Sequence, residues 1–232
     1  MRYHLQFRHR QRGLSLIELM ISLVLGLIVV AAVFNVYSGN SRSARFTEGL
    51  QSMQENGRYA VSVLQRGLRL AGYSPVGYIE AFDVTQSGVN TVAVRTQQAF
   101  DCNGADTTPT GGLAVNIYRH DSVTSQLTCE GNQAGAAPMA IVEGVEQFRI
   151  LFGLDTDGDD DTSEPQQYVP FSATLDPAEV VSLRFALLVN SNKPIRSRNM
   201  SDTYVLLDEE MVVNDRMARA VFSSTVKLRN RL

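Results

Sequence analysis

Arg10-Gln-Arg-Gly-Leu-Ser-Leu-Ile-Glu-Leu-Met20 joins a basic leader to an apolar run that extends from Leu14 to Phe34. One carboxylate, Glu18, stands four residues into that run. An ionised side chain inside a membrane segment costs up to about 2.5–3.5 kcal/mol on insertion scales, so such a residue marks function by default. A secretory signal has a shorter apolar core, with small residues after it. Here the run is longer and the small residue, Gly13, precedes it. A buried core helix rarely holds about twenty nearly uncharged residues at a chain terminus. A plain membrane anchor fits the run but gives no reason for Gly13 or Glu18. The four leader arginines, Arg2, Arg8, Arg10 and Arg12, place the leader in the cytoplasm and the bulk of the chain across the membrane.

Glycine, a hydrophobic residue, and glutamate four positions later resemble the processing site of type IV prepilins. The resemblance implies that a prepilin peptidase cuts after Gly13 and methylates the new amine on Leu14. Leu14 stands where the family usually has phenylalanine, a departure that bears on processing efficiency and not on the cleavage position. It further implies that Glu18 of an incoming subunit pairs with the terminal amine of a subunit already in the fibre. Pairing compensates both charges in a low-dielectric setting and sets axial register.

The 232 residues suffice for one anchor and one globular domain. Loss of the four leader arginines leaves 17 basic against 24 acidic residues, taking the formal charge from −3 to −7. An acidic body gives no general reason to bind nucleic acid, and none is expected as a partner. The short basic stretches at Lys193–Arg198 and Lys227–Arg231 read as solvated surface. The two cysteines, Cys102 and Cys129, both fall outside the membrane. In an oxidising compartment such a pair reads as a disulfide, worth roughly 3–4 kcal/mol by chain entropy. Two free buried thiols are the alternative.

Beyond the apolar run, Phe46, Leu50, Met53, Gly57, Ala60, Leu64, Leu68 and Ala71 recur in steps of three and four. They mark one face of an amphipathic helix, with Gly72 as its C-cap and Pro75 beyond. One helix from Leu14 to Ala71 would reach about 87 Å, so its first half belongs in a membrane or a fibre core. Gly26, Gly39 and Gly49 are soft points for a bend. Strand patterns follow at Val89–Arg95, Leu113–Arg119, Val145–Leu154, Val180–Val189, Tyr204–Leu207 and Val221–Leu228. In the third of these, Phe148, Ile150, Phe152 and Leu154 share one face, with Gln147, Arg149 and Leu151 on the other. The expected class is α+β, a pilin-like fold. Its long helix spans a membrane with its first half and packs its second half on an antiparallel sheet. The expected divisions are a cleaved leader 1–13, a transmembrane or fibre-core helix 14–37, an amphipathic helix 38–72 and a periplasmic β-rich domain 73–232.

Gln54-Glu-Asn-Gly-Arg-Tyr-Ala60 and Leu68-Arg-Leu-Ala-Gly-Tyr73 resemble the helix of PilW-type minor pilins. Gly144-Val-Glu-Gln-Phe148, Phe152-Gly-Leu-Asp-Thr-Asp-Gly158 and the ending Arg219–Asn230 are similar to that family again, whereas Ile79–Ala140 matches it weakly. The resemblance implies a structural, non-enzymatic protein that helps to initiate type IV pilus assembly at or near the fibre tip. The implied partners are other minor pilins, the major pilin, the prepilin peptidase, the inner membrane and a tip adhesin. The implied location is the inner membrane, with the C-terminal domain in the periplasm, and then the fibre. A pseudopilin of type II secretion shares the same processing site. A membrane-tethered periplasmic enzyme or sensor is the rival of another class.

The run Asp155-Thr-Asp-Gly-Asp-Asp-Asp161 places Asp155, Asp157, Asp159 and Asp161 at alternate positions, a supply of oxygen ligands for calcium. The first three match an EF-hand-like loop; Asp160 then replaces its glycine and Gln166 its bidentate glutamate. A solvated acidic turn explains the same residues, and no other cofactor is expected. His120, the sole histidine beyond the leader, reads as a surface residue at a strand end. No nucleophile elbow or phosphate-binding loop accompanies it.

Overall fold

The computed structural model describes Gly13 and residues 15–156 and 164–230. The chain divides into two compact units, Met1–Arg45 and Phe46–Leu232. A single helix, α1, runs from Leu16 to Arg69. Gly26, Gly39 and Gly49 all lie within it without interruption. In the first unit its apolar side chains are exposed, from Leu16 and Ile17 to Val36 and Tyr37. Two uncharged polar side chains there turn back on the helix. Ser22 Oγ donates to the Glu18 carbonyl at 2.7 Å, and Asn35 Nδ2 donates to that of Ala31 at 3.0 Å.

In the second unit the helix buries Gly49, Met53, Gly57, Ala60, Leu64 and Leu68, the face that the periodicity predicts. Phe46, expected on that face, is 42 % exposed. It stands a turn before the first close packing, at Gly49, where a Cβ would press on Ile195. Closer approach occurs at Gly57, where a Cβ would overlap the Phe222 ring. The helix end is finished from outside. Gly72 sits at φ 78 and sends its N–H to the Arg95 carbonyl at 2.8 Å, not back into the helix. Asn230 Nδ2 donates to the carbonyls of Arg69 and Ala71 at 3.2 and 3.3 Å, satisfying acceptors that the last turn leaves open.

Two four-stranded antiparallel sheets share one core with this helical face, where the sequence reading expects one sheet. The first is a meander of β1 (Thr91–Gln97), β2 (Leu113–Asp121), β3 (Gln126–Glu130) and β4 (Met139–Glu143). Gly144, at φ 77, redirects the chain between β4 and β5 (Val145–Leu154), which belongs to the second sheet. That sheet also holds β6 (Gln167–Pro170), β7 (Val180–Asn190) and, after a hairpin, β10 (Arg219–Lys227), in the order β10-β7-β5-β6. The hairpin is β8 (Met200–Leu206) with β9 (Glu209–Asp215).

Strand β7 is buried on both faces. Leu183, Phe185, Leu187 and Val189 enter the core shared with the helix, while Ala186 and Leu188 pack against Leu206 of the hairpin. In β5, Phe148, Ile150 and Phe152 fill the core as expected, and Leu154 is only half-buried. Leu151, expected on the polar side, is 8 % exposed. A register shift between Val145 and Gln147 lets Val145 join the same core three residues before Phe148.

Candidate functional site

The N-terminal helix carries the residues singled out by sequence. Gly13 is exposed and non-helical, and Leu14 lies outside the described residues. Ser15 starts the helix: its carbonyl accepts from Leu19 N at 3.1 Å and its Oγ from Ile17 N at 3.3 Å. This N-cap escaped the sequence reading, although Ser15-x-x-Glu18 has the spacing of a capping box. Glu18 lies exposed in the first turn. There the helix dipole favours a carboxylate by about 0.3–1 kcal/mol. That is smaller than the cost of an unpaired carboxylate in lipid, about 2.5–3.5 kcal/mol at most on insertion scales. The dipole alone does not offset that cost. The helix includes a segment long and apolar enough to cross a membrane, with none of it buried.

Cys102 and Cys129 form a disulfide with their Cα atoms 6.3 Å apart. It ties the loop after β1 to β3, and Cys102 N donates to Asn116 Oδ1 at 2.9 Å. Beside it Asp101 is 6 % exposed; its Oδ1 accepts from the amides of Asn103 and Ala105 at 2.9 Å each.

Of the four aspartates proposed for calcium, Asp157, Asp159 and Asp161 lie outside the described residues. Asp155 is half-buried just after β5, and its Oδ1 has no hydrogen-bond partner among the described residues. Its amide donates to the Glu179 carbonyl at 2.9 Å. Among the described residues no three acidic, histidine or cysteine side chains converge on a metal site.

His120 corrects its expectation. It lies one residue from the end of β2, as expected, but is only partly exposed, and its Nε2 is buried without a hydrogen-bond partner among the described residues. Burial lowers its pKa, against the raising influence of Asp121, the Val145 backbone and Glu146.

The electrostatic centre of the second unit is Arg219, whose side chain is 4 % exposed. It forks between Glu146, in the irregular start of β5, and Asp215, at the end of β9. Asn190 Nδ2 adds a bond to Glu146 Oε1 at 2.7 Å. The Arg219 hydrogen bonds hold the Asp215 carboxyl down at about 2, and those same partners raise Arg219. Sequence spacing does not announce this junction, because its acids lie 73 and 4 residues from the arginine.

The profile of the family described as Type IV Pilus-assembly protein W matches residues 114–230. That of the prokaryotic N-terminal methylation motif matches residues 8–34. A type IV-like pilin from Thermus thermophilus aligns with a TM-score of 0.45 at 17% identity, covering 76% of this chain and 96% of its own. No curated protein sequence matches the chain.

Proposed function

The chain belongs to the PilW family of type IV pilus-assembly proteins, and from that premise we propose that it is a minor pilin that helps to start fibre assembly at or near the tip. The observation that carries this reading is an exposed apolar helix, with one carboxylate in its first turn, leading into a PilW-type body. Lipid or the helices of neighbouring subunits must cover such a surface, since water cannot solvate it cheaply.

In this proposal the peptidase cuts after Gly13 and methylates Leu14. The globular unit faces the periplasm, and helix packing carries the subunit from the inner membrane into the fibre. Glu18 meets the terminal amine of a neighbour during transfer, so each charge loses its uncompensated state as the other arrives. Other minor pilins and the major pilin are the partners, and an adhesin at the tip extends the same proposal. The family's description names pilus assembly, which favours the pilus over a secretion pseudopilus.

Intact mass and N-terminal sequencing of the protein from native membranes test the first step, with N-methyl-Leu14 expected. A chain still starting at Met1 in peptidase-positive cells rejects it. For the second step, deletion should abolish surface pili while leaving the major pilin in the membrane. Unchanged pilus number would reject a role in initiation.

A further inference from the structure

The last two turns of α1 and the chain at the end of β10 line two open hollows that share Arg69. One, of about 440 Å³, is lined by Ser62, Gln65, Arg66 and Leu70 besides Arg69. The other, of about 430 Å³, is lined by Thr225, Val226, Lys227 and Arg229 besides Arg69. Among the described residues the groove therefore carries four cationic side chains and no acidic one.

This arrangement is built by the fold. Val226 and Leu228 are buried at 2 % exposure each, so alternation turns Lys227 and Arg229 outward. Leu228 N donates to the Val181 carbonyl at 2.9 Å, and Asn230 clamps the chain against Arg69 and Ala71. Gln65 Nε2 donates to Ser224 Oγ at 2.6 Å and joins the helix to β10.

Elsewhere the chain neutralises its buried and half-buried arginines. Arg95, Arg119, Arg149, Arg196 and Arg219 each meet a carboxylate. Arg66, Arg69, Lys227 and Arg229 are exposed, and among the described residues no carboxylate lies within ion-pair distance of them. The negative end of the helix dipole favours Arg66 and Arg69 by about 0.3–1 kcal/mol each. It does not account for two further cations supplied by another strand.

We propose that this groove docks a carboxylate-rich segment of a neighbouring subunit. The inference rests on the reading above that the chain works among other pilins. Charge complementarity selects an acidic occupant, and the apolar floor of Leu70 and Val226 suits a polypeptide with aliphatic stems. Duplex nucleic acid fits less well. Its charges recur every ~1.7 Å along a stiff rod, and a short groove of four cations meets only a few of them.

The test uses the full chain in detergent, with a fluorescent polyglutamate peptide and a single-stranded oligonucleotide of matching charge, read by anisotropy. The peptide should bind, and K227E/R229E should weaken it at least about tenfold, as should a rise in salt from ~50 to ~300 mM. R66E/R69E, on the other wall, should act alike, and R58E, on the exposed side of the same helix, should change nothing. Thermal melts of each variant establish that the fold persists. The proposal falls if folded groove variants bind as wild type does, if the peptide does not bind, or if the oligonucleotide binds more tightly. N-terminal mass from the same preparation reports processing after Gly13 separately, so loss of groove binding leaves the assembly reading standing.

Discussion

Single residues decide both the assembly chemistry and the integrity of the body. Glu18→Ala removes the only charge between Leu16 and Ser41 and leaves a helix still fit for insertion. We expect processed, membrane-inserted protein that is missing from sheared pili, measured by immunoblot of both fractions. Wild-type recovery in the pili would exclude the register role. Arg219→Met tests the opposite extreme, a buried cation with two acids. Removing one member of a buried pair costs about 3–5 kcal/mol, but Asp215 is 41 % exposed and can rehydrate, so about 2–3 is expected by denaturant melting. The pH dependence has a definite sign. Asp215 is depressed to about 2, so its contribution is complete above its ordinary value of 3.8 and fades as pH falls toward 2. His120 is also depressed, by burial, and below pH 6.5 the unfolded chain takes up the proton first. Stability should therefore fall on acidification below 6.5, and His120→Gln should flatten that part of the profile. An unchanged profile in the variant would assign the slope to other groups.

At the scale of elements, the helix was the most legible part and its partners the least. A step of three and four from Met53 to Leu68 states which face is buried, because a helix repeats every 3.6 residues wherever it lies. The same period does not state what is packed against that face. Gly57 falls on that face by spacing alone, and the Phe222 ring that a Cβ would overlap supplies the reason for a glycine there. Gly57→Ala should thus destabilise the body by about 1–3 kcal/mol through overpacking. That outweighs the gain of up to about 1 kcal/mol in helix propensity that alanine brings. A stabilised variant would show that the ring has room to move. Strands that are long and rich in apolar residues, such as β5 and β7, were readable. Four others were not: β3, β4, β6 and β9. β6 has only four residues and ends at Pro170, and β9 carries Glu209, Glu210 and Asp215, a composition that reads as loop. Their pairing comes from neighbours: β9 is held through β8, and Arg149 grips the hairpin turn at Asp208 with bonds of 2.6 and 2.7 Å. The acidic run after β5 is proposed as a weak calcium site. Calorimetry with millimolar calcium should show uptake that is lost when Asp157 and Asp159 become asparagine, and absence of heat in the native chain would end the idea.

For the whole molecule, the division at Arg45 and Phe46 separates a unit that hides its apolar surface from one whose described residues leave it exposed. The second unit hides it within itself: residues of the helical face, both sheets and the disulfide share one core. The first unit hides none, since Leu16 to Tyr37 expose their side chains along the helix. Sequence made this contrast legible, because a run of some twenty apolar residues and an amphipathic pattern are different signals. It could not show that Cys102 and Cys129 lie within bonding reach, which depends on how the loop after β1 folds over β3. If the second unit is self-sufficient, a chain beginning at Phe46 and secreted to an oxidising compartment should be a soluble monomer with one cooperative unfolding transition. The disulfide closes a separation of 27 residues, for which chain entropy gives about 3–4 kcal/mol. Cys102→Ser with Cys129→Ser should lower the stability of that truncated chain by this amount while retaining its circular dichroism. Aggregation of the truncated chain with its disulfide intact would mean that its core needs the preceding helix. A loss well under 1 kcal/mol in the double variant would mean that the loop is already ordered by Asp101 and Asn116, without the covalent link.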